Sequence, residues 1–175
     1  MLTFDQFLAA APAVAGPISE RLTAAGLGIL GTTRLDGWPR VSPIEVSFVE
    51  GRLYMGMMPG SRKHADVLRD PRVSLLAPIA DRNDLAGEGK LVGRLDQLDP
   101  ESADRTLRAF CAAHDLDPEP LAGSPMFELL VAEAAWQQVR DDAWDTLSWS
   151  ADRPDVVRHR RREGATGEST DVEAR

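Results

Sequence analysis

The sequence predicts a mainly β protein with flanking helices, its strands antiparallel and closing into a small barrel. Three observations carry this expectation. Apolar, strand-like runs follow one another across tight-turn signals at Asp36-Gly37, Glu50-Gly51 and Pro59-Gly60. Helical spacing is confined to short stretches between those runs, too short for the crossovers of a parallel sheet. No Gly-x-Gly-x-x-Gly opens a helix after the first strand: Gly26, Gly28 and Gly31 lie within the strand itself, where they permit close backbone packing.

Residues 3–25 are predicted helical, because Phe4, Phe7, Leu8 and Ala11 share one face and Ile18, Leu22 and Ala25 another, with Pro17 as the break between them. The run 26–35 is a buried strand, and 40–49 is its hairpin partner, with Pro43 marking an edge or bulge. A third strand, 52–57, completes a meander. The helix opening at Ser61 ends near Asp70, because Pro71 disfavours α geometry in the residue before it. Strands 73–77 and 90–98 follow, separated by a polar loop at 81–89 that is expected to be mobile. Asp99-Pro100-Glu101 starts a further helix, broken at Asp117-Pro118. Residues 126–139 and 144–149 supply the last strands, although 128–136 reads equally as helix. Residues 1–150 therefore form one expected domain, and 151–175, polar and Arg-rich, a flexible tail.

Composition narrows the function. The net charge of −8 over 175 residues argues against the broad cationic face of a nucleic-acid binder. No apolar run reaches the roughly 18 residues of a membrane span, and the N-terminus lacks the pattern of a signal peptide. Cys111 is the only cysteine, which excludes an intrachain disulfide and fits a reducing cytoplasm; sharing a helical face with Leu107 and Phe110, it reads as core. His64, His114 and His159 are scattered, so no metal site is expected. Neither a Gly-x-Ser-x-Gly elbow nor a phosphate-binding Gly-x-x-x-x-Gly-Lys loop is present.

The chemistry concentrates in Met57-Met58-Pro59-Gly60-Ser61-Arg62-Lys63-His64, where a strand breaks and a helix opens. Ser61 is placed to cap that helix, whose first-turn N–H groups and dipole favour an anion. Arg62 and Lys63 oppose the dipole, so their presence there asks for a negative ligand such as phosphate. Lys63 is one of only two lysines beside eighteen arginines. A solvated first turn is the plainer explanation of the same residues.

In order and spacing, Asp36-Gly37-Trp38-Pro39-Arg40-Val41-Ser42, Gly60-Ser61-Arg62-Lys63 and Arg69-Asp70-Pro71-Arg72-Val73 resemble the pyridoxamine 5′-phosphate oxidase-like superfamily. The resemblance extends from Leu27 to about Leu98. It implies the antiparallel split β-barrel of that superfamily and a homodimer with a flavin groove at the interface. By that resemblance Arg62 and Lys63 would grip the phosphate of FMN, with Ser61 assisting. Arg40, Val41 and Ser42 would run beside the ribityl chain or ring. Met57 and Met58 would lie close by, or else belong to the core. The implied activity is flavin-dependent oxidoreduction, by hydride transfer to or from a small-molecule substrate, with no catalytic residue assigned. The deazaflavin F420 is the alternative cofactor, its acidic tail calling on cations such as Arg34, Arg52 or Arg94. A non-catalytic flavin, haem or tetrapyrrole carrier is the alternative function. Toward the C-terminus the likeness ends. Residues 149–154 and the arginines after them do not align with the substrate-contacting segment of the true oxidases, so vitamin B6 oxidation is not expected.

Overall fold

The computed structural model describes residues 1–78, 81, 86–164 and 167–172. Two helices lead the chain, α1 (Phe4–Ala10) and α2 (Pro12–Ala25). Thr3 and Gln6 form a capping box at the start of α1, the Thr3 N–H donating to Gln6 Oε1 at 3.1 Å. The break between the helices falls at Ala11 rather than at Pro17. Pro12 occupies the first position of α2, where its missing N–H costs nothing, and Pro17 is carried inside the helix. Gly26 ends α2 in the left-handed region, φ 63°, with its N–H donating to Leu22 O at 2.9 Å.

Among the described residues ten strands follow: β1 (Leu27–Thr33), β2 (Pro39–Glu45), β3 (Ser47–Val49), β4 (Arg52–Gly56), β5 (Arg72–Ala77), β6 (Glu88–Gln97), β7 (Met126–Arg140), β8 (Ala143–Ser150), β9 (Val157–Glu163) and β10 (Ser169–Val172). Helix α3 (Arg62–Arg69) lies between β4 and β5, and α4 (Pro100–Ala113) between β6 and β7. The hydrogen-bonded order is β10-β9-β8-β7-β6-β5-β1-β2, all antiparallel, while β3 pairs with β4 and β4 with β7. The chain thus curls from β2 through Val46 into β3 and back onto β7, giving the antiparallel barrel that the sequence predicts.

The expected meander is corrected. Residues 40–49 do not form one strand: Val46 leaves β2 to bond Gly26 O, and β3–β4 becomes a separate hairpin across Glu50 and Gly51, both at positive φ. The ambiguous segment 128–136 is strand throughout. Met126–Arg140 pairs along its length with β4, β6 and β8, and its inward residues Phe127, Leu129 and Val131 are buried. The β6–β7 ladder shifts register between Val92 and Gly93, and a Cβ on Gly93 would collide with Leu130 O at 2.1 Å. Of the expected mobile loop at 81–89, residues 82–85 lie outside the described residues, and Glu88 and Gly89 already belong to β6.

Phe4, Phe7, Val14, Ile18 and Leu22 from the helices pack with Leu30, Leu53, Met55, Leu75, Leu91 and Leu129 into the main core. A second, smaller cluster on the outer side of β4 and β7 joins Tyr54 and Met126 to Ala103, Leu107 and Cys111 of α4. Cys111 is buried there, as its helical face predicts.

The polar tail is corrected too. Residues 157–163 form β9, bonded along β8, with β10 outside it. Polar composition concealed the strand because two of its inward residues, His159 and Arg161, are themselves polar. His159 Nε2 and Arg161 Nη1 approach the buried Asp145 carboxylate at 2.8 and 3.1 Å, and Trp149 Nε1 donates to Pro154 O at 2.9 Å, pinning the turn before β9.

Candidate functional site

Helix α3 begins where β4 ends. Ser61 is its N-cap, in extended conformation, and its hydroxyl accepts from His64 N at 3.4 Å. His64 Nδ1 accepts from Gly60 N at 3.1 Å, which locks the Pro59-Gly60 turn against the helix. The helix stops at Asp70, extended ahead of Pro71, as expected from the sequence.

Arg62, Asp66 and Arg69 lie three or four residues apart and so share one face of α3. Opposite them stands the β1–β2 hairpin. Arg40 Nε meets Asp66 Oδ2 at 2.6 Å, Thr32 Oγ1 donates to the same oxygen at 3.0 Å, and Arg69 Nη1 stands 3.5 Å from Oδ1. Arg69 also donates to Thr33 O. Burial opposes ionisation of Asp66. The hydrogen bonds from Arg40 and Thr32, with the charges of Arg40 and Arg69, outweigh it and hold the carboxyl below the usual carboxylate range.

Between helix and hairpin lies an open cleft of about 490 Å³, lined by Arg34, Asp36, Arg40, Arg62, Asp66 and Arg69 among others. Its cations are unequal. Arg34 is paired with Asp36 at 2.7 Å, while Arg40 and Arg69 are committed to Asp66. Among the described residues the Arg62 guanidinium has neither ion pair nor hydrogen bond, and it is exposed beside the helix start. Four guanidiniums against two carboxylates leave a positive surplus, centred on the one cation without a partner. This donor set fits a phosphate or carboxylate, which a guanidinium binds through a planar fork.

The structure brings Arg40, Ser61 and Arg62 to this corner of the fold. Lys63 stands beside them but is turned to β2, its Nζ donating to Pro43 O at 2.9 Å, so it ties α3 to the strand. Ser42 alternates on the same face of β2 as Arg40, whereas Val41 projects from the opposite face and is 70% exposed. Met57 is buried in the main core, and Met58 is 77% exposed. Sequence reasoning missed Asp66 and gave Arg69 no role in the site. The i, i+4, i+7 spacing of Arg62, Asp66 and Arg69 was the available signal.

No helix among the described residues is long and apolar enough to cross a membrane, and none of their His, Cys, Asp and Glu side chains gather into a metal-holding group.

The curled antiparallel sheet, with an arginine-lined cleft at the first helix after β4, defines a split-barrel protein. The family model for pyridoxamine 5′-phosphate oxidase matches residues 17–140, and the chain belongs to that family. No curated protein sequence matches it. Among solved structures it is similar in fold to a haem-binding protein from Mycobacterium smegmatis (TM-score 0.58, 21% identity, 79% of this chain and 59% of that one). It is similarly close to a general-stress-protein-26-related member of the pyridoxinephosphate oxidase family from Clostridium acetobutylicum (TM-score 0.58, 12% identity, 78% of this chain and 93% of that one). HutZ, the haem storage protein of Vibrio cholerae, also resembles it (TM-score 0.56, 15% identity, 66% of this chain and 88% of that one). The chain spans 59% of the length of the Mycobacterium smegmatis protein.

Proposed function

We propose that the protein is a cytoplasmic flavin-dependent oxidoreductase that binds a phosphorylated flavin, FMN or the deazaflavin F420, at a homodimer interface. The observation that carries this reading is the unpaired Arg62 guanidinium at the start of α3, in a cleft with a surplus of cations. Arg62 would take the cofactor phosphate with the first-turn N–H groups of α3. Arg40, held by Asp66 at 2.6 Å, would present its remaining N–H groups at a fixed angle. Ser42, on the same face of β2, would line the path from phosphate to ring. When bound, the flavin supplies hydride transfer to or from a small substrate; this chain's residues hold and orient it. The exposed Leu35, Trp38 and Val41 on the β1–β2 hairpin support a second subunit packed against that hairpin.

The experiment is a flavin titration. Arg62→Ala should weaken FMN about ten- to a hundredfold, the value of one or two charge-assisted contacts, and leave riboflavin nearly unchanged. Equal FMN affinity in wild type and variant would refute the site.

A second reading, a non-catalytic haem or tetrapyrrole carrier, is favoured by the similarity to the Mycobacterium smegmatis haem-binding protein and to HutZ. The same cations would serve its propionates. Absorption spectra and mass spectrometry of natively purified protein decide between the two: flavin or deazaflavin bands support the first reading, a Soret band the second.

A further inference from the structure

The turn Met57-Met58-Pro59-Gly60-Ser61, which joins β4 to α3, is tied down along its length. Met57 N donates to Pro125 O at 3.1 Å, anchoring its start to the segment before β7, and Ser61 N donates to Met58 O at 3.1 Å across its middle. A further bond differs in kind. Gly60, in the left-handed region at φ 72°, donates its N–H to a titratable side chain, His64 Nδ1, at 3.1 Å.

A ring nitrogen accepts a hydrogen bond only while it carries no proton, so this contact belongs to the neutral imidazole. In the imidazolium both nitrogens are donors, and Nδ1–H would then face the Gly60 N–H. The other nitrogen offers no relief. Nε2 is buried without a hydrogen-bond partner, and the ring packs edge to face on the buried Phe127 of β7, with centroids 5.9 Å apart. Among the described residues no carboxylate bonds to the imidazole, and the charges beside it on α3, Arg62 and Lys63, are cations. The charged ring and the closed turn therefore exclude each other.

From this geometry we propose that His64 is the positioning residue of the arginine cleft: its neutral imidazole fixes the turn that sets Ser61 and Arg62 at the head of α3, and proton uptake releases that turn. Anion affinity then falls in acid, because the site is no longer formed in advance of binding. Charge and position act here with opposite sign. An imidazolium two residues from Arg62 would by its charge tighten an anion, whereas an opened turn loosens it. That the anion is a flavin phosphate rests on the function proposed above; that proton uptake opens the turn does not.

Amide NMR of the full chain follows the turn, and flavin titration follows the cleft. Between about pH 8 and about pH 5.5, a range that spans ordinary histidine titration, the Gly60 amide proton of the wild type should move upfield together with the His64 ring signals. His64→Asn sets an amide oxygen where Nδ1 stands and does not titrate, so Gly60 should keep its bonded shift throughout. His64→Phe keeps a ring against Phe127 but no acceptor, so Gly60 should show the released shift at every pH. Over the same range FMN affinity should fall about two- to tenfold further in the wild type than in His64→Asn, the worth of one hydrogen bond; the Asn variant cancels the titration of the FMN phosphate itself. A Gly60 amide that stays still while the ring titrates would overturn the proposal. So would FMN binding with the same pH dependence in wild type and His64→Asn, or binding that tightens in acid relative to that variant. Should no FMN bind at any pH, the flavin reading fails alone: the Gly60 shift still reads the turn, and inorganic phosphate titrated against the same variants reads the cleft.

Discussion

Arg40 and Asp66 meet at 2.6 Å across the gap between β2 and α3, and this contact makes a hairpin and a helix into one wall of the cleft. The Asp66 side chain is 5% exposed and also accepts from Thr32, so the carboxylate is the buried hub and the arginines its spokes. Lys63, bonded to Pro43 O, ties the same two elements a few residues further along.

Asp66→Asn is therefore expected to destabilise the fold by about 2–3 kcal/mol, because Arg40 loses a charged partner at a largely buried site. Urea unfolding of variant and wild type gives the difference. It should also loosen FMN binding severalfold, since Arg40 is no longer aimed. Loss of stability without any change in FMN affinity would leave Arg40 no part in holding the cofactor.

Acid should weaken the protein with a definite sign. The carboxyls of Asp66, Asp70 and Asp145 all lie below the ordinary range in the folded chain. Hydrogen bonds from Arg72 hold Asp70 at about 2. Burial resists ionisation of Asp66 and Asp145, but their arginine and histidine partners prevail. A lowered folded value means that the unfolded chain binds the proton more readily, so these contributions are complete above about pH 5 and are lost as pH falls toward 2. Glu128 runs the other way. Burial raises its carboxyl more than Arg52 lowers it, so its contribution favours the folded chain at low pH and fades as pH rises through the raised value. Asp5 and Asp99 are held low as well, so with five lowered carboxyls against one raised among the described residues the denaturant midpoint should fall steadily between pH 5 and pH 3, and Asp66→Asn should flatten the slope.

Ending the chain at Val156 should cost about 3 kcal/mol, seen as a lower Tm. The truncation removes His159 and Arg161 and leaves Asp145 buried without a partner. Asp145→Leu in the truncated chain should recover part of the loss, because the stranded charge is gone. An unchanged Tm on truncation would mean that β9 is held too weakly to matter.

Val41→Asp, on the exposed face of β2, should dissociate the proposed dimer and carry cofactor affinity down with it, while Tm of the monomer changes little. Sedimentation with and without FMN is the measurement.

The elements were legible wherever local chemistry decides them. Ser61 and Asp99 mark helix starts by accepting from first-turn N–H groups, and Pro71 marks a helix end by disfavouring α geometry in the residue before it. Partners separated in sequence were not. Nothing in residues 40–49 announces that Val46 bonds Gly26 O and splits the strand, and the alternation of His159 and Arg161 gains meaning only once Asp145 is seen beneath them. The motif Ser61-Arg62-Lys63 lies at the helix start that the sequence predicts. The division of labour within it, with Arg62 free, Lys63 strapped to β2 and Arg40 paired with Asp66, depends on distances that spacing does not encode.

Strand β7 carries one more consequence, for the order in which the protein takes shape during synthesis. The pairing of Tyr54 with Glu128 brings together residues far apart in the chain, and β6 finds its long partner only in the same strand. Until Met126–Arg140 has left the ribosome, β4 lacks one neighbour and the apolar inner faces of β1 to β6 have only α1 and α2 to pack against. The emerging chain must therefore wait with Leu53, Met55 and Leu91 open to water, a stage at which chaperone capture or self-association competes with folding. Barrel closure is a late and concerted event, triggered by the arrival of one segment.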